Sequence, residues 1–137
     1  MADDVALRKA STIERCVERV REEYGPDGHE LGVDQRRQDA LVLNLLRACE
    51  TAIDLAMHAV RVRALGAPQS SRDAFAMLVT AGLLDRTLGD ALQRMVGFRN
   101  IAVHRYQDLD IDVLHAIVRH QTGDLEAFAA AMVRALA

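Results

Sequence analysis

Arg99, Asn100, His104 and Tyr106 stand in the segment RNIAVHRY, and their types and spacing suit one kind of chemistry. Arginine holds and neutralises a phosphate through its planar donor fork. The ordinary pKa of histidine lets it take and give a proton near neutrality. His104 follows Arg99 by five residues and Tyr106 follows it by seven. At about 100° per residue, Tyr106 returns to within roughly 20° of Arg99, and Asn100 pairs with His104 at i,i+4. A helix that continues through the segment, or frays only in its last turn, therefore presents guanidinium, carboxamide, imidazole and phenol on one wide face. Those are the parts needed to cleave a phosphodiester without a metal.

The elements that carry these residues are helical. The 137 residues include no Trp and only two Pro, while half are apolar and about a quarter charged. With its many Ala, Leu and Arg, this is the composition of helices in one domain spanning residues 1–137. A first helix is predicted from about Asp4 to Tyr24, with Ile13, Cys16, Val17, Val20 and Tyr24 on its apolar stripe, and Gly25-Pro26-Asp27-Gly28 ends it. The second runs from about Asp34 to Leu65 on a seam of Leu41, Leu45, Ala48, Ala52, Leu55, Ala59 and Val62. A second stripe on that helix, Leu43, Leu46, Ile53, Met57 and Val60, is expected to meet another copy of the chain. Ser70 and Asp73 cap a short third helix, and Asp85 caps a fourth with Leu88, Ala91, Leu92, Met95 and Phe98 inward. The fourth carries the motif. The last begins near Asp108-Leu109-Asp110, turns Val113, Leu114, Ile117, Leu125, Phe128, Met132 and Leu136 inward, and has a weak point or bend at Gly123. The expected fold is all-α, an antiparallel bundle of about five helices.

Charge and cysteine usage narrow the function. A net charge of −3 argues against indiscriminate nucleic-acid binding. Locally the balance reverses: Arg86, Arg94, Arg99 and Arg105 face Asp85 and Asp90 across Asp85–Tyr106, a surplus of +2. Such a stripe suits a confined RNA site better than a broad phosphate coat, and Arg105 is a possible RNA contact. Cys16 and Cys49 lack CxxC spacing and read as reduced core cysteines. The start MADDVALRK has no apolar stretch of a signal peptide, and the charge-free run Ala74 to Leu84 spans 11 residues, too few for a membrane crossing. A cytoplasmic location is expected. His115 and His120, five apart on the last helix, do not share a face, and His29 and His58 have no companions at ligand spacing, so neither metal nor cofactor is expected.

The motif and its flanks resemble the HEPN superfamily, most closely the HepT-like toxins encoded beside minimal nucleotidyltransferases. QDALVLNLLRACETAIDLAMHAV looks like that family's long second helix, and SRDAFAMLVTAGLLDRTLGDALQRMVGFRNIAVHRYQDLD like its third and fourth. The signature is Arg, four residues, His, any residue, Tyr, with a polar residue directly after the Arg. Here these are Arg99, Asn100, His104 and Tyr106, without departure.

The resemblance implies a HEPN-like bundle and a metal-independent endoribonuclease whose composite site forms where two protomers of a homodimer bring their motifs together. It further implies a nucleotidyltransferase antitoxin that attaches AMP to Tyr106. In RNA the 2′-hydroxyl is an internal nucleophile beside the phosphorus. On this reading His104 handles a proton, Arg99 neutralises the non-bridging oxygens, and Asn100 orients either one. The expected products carry 2′,3′-cyclic phosphate and 5′-hydroxyl ends. The alternative is a non-catalytic nucleotide-binding or regulatory subunit of a nucleotidyltransferase complex, in which Arg99 and His104 hold a nucleotide without cutting RNA.

Overall fold

Five side chains set where the helices begin. Asp3, Asp34, Ser70, Asp85 and Asp110 each accept a hydrogen bond from a backbone N–H of the first turn, at 2.8–3.3 Å. Each satisfies a donor that a helix start leaves without a partner. In the computed structural model, which describes residues 2–137, these caps open α1 (Asp4–Tyr24), α2 (Gln35–Val62), α3 (Ser71–Thr80), α4 (Arg86–His104) and α5 (Ile111–Ala135). A 3₁₀ turn, Tyr106–Asp108, joins α4 to α5, and no strand occurs among the described residues. The all-α bundle of five helices is as expected.

Neighbouring helices run antiparallel, as their paired contacts show. Between α1 and α2, Asp3 meets His58, Lys9 meets Asp54, and Arg37 donates to the Glu23 carbonyl. Between α1 and α5, Tyr24 bonds His115 at 2.7 Å and Arg21 clasps Glu126 through both terminal nitrogens. Leu41, Leu45, Ala48, Ala52, Leu55 and Ala59 of the α2 seam are fully buried. Truncating one of its leucines to Ala would cost about 2–5 kcal/mol. Phe75 of α3 and Phe128 of α5 close the far side edge to face, with centroids 5.3 Å apart.

Helix α3 lies close against α4 because Gly89 has no side chain. A Cβ there would stand 2.3 Å from Val79 Cγ2. At the other end of this pair Arg72 donates to the Gln93 carbonyl, and Ser71 reaches Arg99. The close approach at Gly89 thus sets the height at which α3 delivers Ser71 to the motif.

Several expectations need correction. The second stripe of α2 is not a free surface: Ile53 and Val60 are buried, Leu46 and Met57 pack against the core, and only Leu43 is exposed. Helices α1, α3, α4 and α5 all pack against α2, so little of this stripe is left for a second copy. Val62 and Val113, expected inward, are half exposed, and α5 runs unbroken through Gly123. Helix α2 stops at Val62, where Arg63 and the positive φ of Ala64 turn the chain. Cys16 and Cys49 are free and buried, as expected.

Candidate active site

The motif occupies the last two turns of α4 and the turn after it, and its side chains point in different directions. Arg99 turns back into the bundle. Its Nη2 donates to Ser71 Oγ at 3.0 Å, and its Nε lies 3.4 Å from Glu50 Oε1. The Arg99 side chain is 22% exposed against 46% for Glu50, so the guanidinium is the better sheltered partner. A fork held on two sides loses little freedom when it meets a phosphate. Asn100 and His104 lie one helical turn apart on the outer face, both exposed and without hydrogen-bonding partners among the described residues. His104 is also the last helical residue.

Tyr106 differs from the expectation. Helix α4 does not continue through it: Arg105 leaves helical geometry at φ −144° and ψ 51°, and Tyr106 opens the 3₁₀ turn. The helical-wheel proximity of Tyr106 to Arg99 therefore does not apply. The phenol instead donates to the carboxylate of Asp39, near the start of α2. Gln35 donates to the same carboxylate oxygen at 2.8 Å. Partial burial, then the hydrogen bond and charge of Asp39, push the Tyr106 pKa up to about 12. In return, the bonds from Tyr106 and Gln35 hold the Asp39 carboxyl below its ordinary range. Arg105 is exposed at the helix end.

Glu50, Ser71 and Asp39 escaped the sequence reading, although they position the motif. A signal for two of them was present. Asp39 and Glu50 are eleven residues apart on α2, which places them within about 20° of one another on the helix surface. Helix α4 passes this line in the opposite sense, so Arg99 meets Glu50 and Tyr106 meets Asp39. Leu43 and Val103 lie at the intermediate height, both about half exposed. Asn100 and His104 are exposed while Arg99 and Tyr106 are partly covered, so one chain offers only part of the motif on an open surface. Among the described residues, no three His, Cys, Asp or Glu side chains converge at metal-binding spacing.

Residues 13–132 match the family described as Ribonuclease HepT-like. The chain belongs to the HepT-like family. It is 45% identical over 126 residues to the mRNA nuclease HepT of Shewanella oneidensis, covering 92% of this chain and 94% of that protein. Among solved structures it resembles a tri-AMPylated Shewanella oneidensis HEPN toxin in complex with MNT antitoxin, with a TM-score of 0.89 and 44% identity. That match covers 95% of this chain and 97% of the other. It also resembles a toxin–antitoxin structure with AMP-PNP, with a TM-score of 0.90, 43% identity, and 95% and 98% coverage. Membership in the HepT-like family carries the HEPN bundle with it, in agreement with the helices above.

Proposed function

We propose that this chain is the toxin of a toxin–antitoxin pair, an endoribonuclease silenced by a nucleotidyltransferase antitoxin that adenylylates Tyr106. The family and the relative named as an mRNA nuclease support the activity; the tri-AMPylated toxin in complex with its antitoxin supports the control. The observation that carries the reading is the contrast at the end of α4. Arg99 is held by Ser71 and Glu50 as a fixed phosphate receptor, whereas His104 is free and exposed to reach a substrate.

The chemistry follows from these placements. Arg99 faces the non-bridging phosphate oxygens and offsets the charge that builds there. His104 takes the 2′-hydroxyl proton or delivers one to the leaving 5′-oxygen, a role worth on the order of 10²–10⁴ in rate. Asn100, one turn before His104, orients it. One histidine cannot hold both proton-transfer positions at once. The exposed Asn100 and His104, with the half-exposed Leu43 and Val103, support a homodimer that brings two motifs into one composite site. The whole chain, 1–137, acts as one domain in the cytoplasm, and no helix among the described residues is long and apolar enough to cross a membrane.

Adenylylation of Tyr106 replaces a phenol on Asp39 with an anionic phosphodiester beside an anionic carboxylate. Repulsion then drives the modified group off Asp39 and toward the motif's cations, where it occupies the place of an RNA phosphate. The test is treatment with the antitoxin and ATP, read by mass spectrometry and by RNA cleavage. Wild type should gain AMP and stop cutting, while Tyr106→Phe should gain none there and keep cutting. Equal modification and silencing of Tyr106→Phe would refute the assignment.

A further inference from the structure

Helices α1 and α2 leave between them a groove of about 510 Å³ that the motif does not use. Thr12, Arg15, Cys16 and Arg19 line it from α1, and Ala40, Leu43, Asn44 and Arg47 from α2. Both sets follow the i, i+3, i+4, i+7 rule, so each is one continuous stripe of its helix. No carboxylate lines the groove among the described residues. Glu14, next to Arg15 in sequence, lines a different groove, between α1 and α5.

Three guanidinium groups converge here without an ion pair. Arg15, Arg19 and Arg47 take part in none of the salt bridges among the described residues, while Arg21, Arg37 and Arg99 do. Burial pushes the Cys16 thiol pKa up, and the charges of Arg47, Arg15 and Arg19 together pull against it, so all three are felt at one buried atom of the groove floor. Arg15 is further steered by a 3.4 Å hydrogen bond from Nη2 to Thr12 Oγ1. Three like charges gathered over one site repel each other and disfavour the bare protein. An anion lying among them removes that cost. On a chain whose net charge is −3, such a gathering is a local exception.

We infer that this groove binds the phosphate backbone of the RNA substrate and leads it to the motif. Arg15 and Arg19 are one helical turn apart, about 6 Å along α1, which suits successive phosphates of a single strand. Arg47 stands opposite on α2. The groove also adjoins the candidate active site. Leu43 lines it and lies one turn from Asp39, and Arg47 precedes Glu50 by three residues. On the α2 surface Arg47 is therefore only about 60° round from the residue that holds Arg99. A strand in the groove passes over Leu43 to reach Arg99 and His104. In a homodimer, two such grooves flank the composite site. The inference rests on the ribonuclease reading and extends it to where the strand is held beyond the scissile phosphate.

The test uses Arg15→Gln/Arg19→Gln/Arg47→Gln and a charge-matched control, Arg61→Gln/Arg119→Gln/Arg134→Gln, whose positions are exposed and outside the groove. The probe is a fluorescent single-stranded 2′-O-methyl RNA of about a dozen nucleotides, which has no 2′-hydroxyl to attack its own phosphate. Losing three phosphate contacts should flatten the slope of log K against log salt by about two and weaken low-salt binding on the order of tenfold or more. With cleavable RNA, kcat/KM should fall by a similar factor with kcat unchanged, because the groove contributes binding and no proton transfer. The control should behave as wild type. Unchanged affinity and salt slope in the groove variant would overturn the inference while leaving the ribonuclease reading intact. So would normal RNA binding with loss of antitoxin binding, which would make the groove the antitoxin's seat. Wild type that neither binds nor cuts RNA would overturn the ribonuclease reading and the groove with it.

Discussion

Replacing Asp39 with Asn keeps the side chain's shape and removes its charge, a direct probe of how Tyr106 is held. The Tyr106 phenol stands about two units above its ordinary value of 10.0. Two units correspond to about a hundredfold in proton affinity. Burial makes the largest contribution, followed by the hydrogen bond to Asp39 and then its negative charge. Asp39→Asn leaves the burial and weakens the other two, so the Tyr106 pKa should fall from about 12 toward its ordinary value of 10.0. The sign is fixed because a carboxylate stabilises the protonated phenol and repels the phenolate. A tyrosine ring-carbon NMR titration, assigned with Tyr106→Phe, measures the shift. An unchanged or higher pKa in the Asn variant would refute the argument, since the phenol would then owe nothing to Asp39. Linkage extends the same contact to stability. The raised phenol contributes stability that is complete below about pH 10 and is lost as pH rises through about 12. The lowered Asp39 carboxyl contributes stability above its ordinary value of 3.8, lost as pH falls through its depressed value. The contact is partly exposed, so both effects are small beside the core.

Three further outcomes follow. His104→Ala should lower RNA cleavage by on the order of 10²–10⁴ with unchanged thermal stability, because His104 is exposed and makes no hydrogen bond among the described residues; a cleavage rate near wild type would remove it from the mechanism. Arg99→Lys keeps the charge but lacks a fork that can meet Ser71 and Glu50 together, so cleavage should fall by about 10²; full activity of this variant would mean that charge alone suffices. Gly89→Ala should destabilise the chain by about 1–3 kcal/mol in denaturant titrations, since its Cβ must displace Val79; a stability equal to wild type would show that α3 yields freely.

The helices were legible because each begins at a cap and carries an apolar stripe of the right period. The Leu41-to-Ala59 seam and the Asp85 cap are read directly from residue types and spacing. The burial of the second α2 stripe was not legible, since periodicity shows that a face is apolar but not which neighbour covers it. Here α1, α3, α4 and α5 all pack against α2. The motif's residue types were legible for the same reason that its geometry was not. Arg99, Asn100 and His104 keep helical spacing, but the helix yields at Arg105 and sends Tyr106 to Asp39, a partner 67 residues away in sequence. Residues that act by holding others, such as Ser71 and Glu50, carry no signature until the pairing of α2, α3 and α4 is known. The arginine groove was hidden likewise: Arg15 and Arg47 look like ordinary surface residues until two helices bring them face to face.

The most direct measurement is incubation of wild type and of Arg99→Ala/His104→Ala with RNA in EDTA, followed by analysis of the new ends. Wild type, carrying an unmodified Tyr106, is expected to cut and leave 2′,3′-cyclic phosphate and 5′-hydroxyl ends, and the double variant to leave the RNA intact. RNA left whole by unmodified wild type, equal cutting by the variant, or 3′-hydroxyl and 5′-phosphate ends would contradict the account.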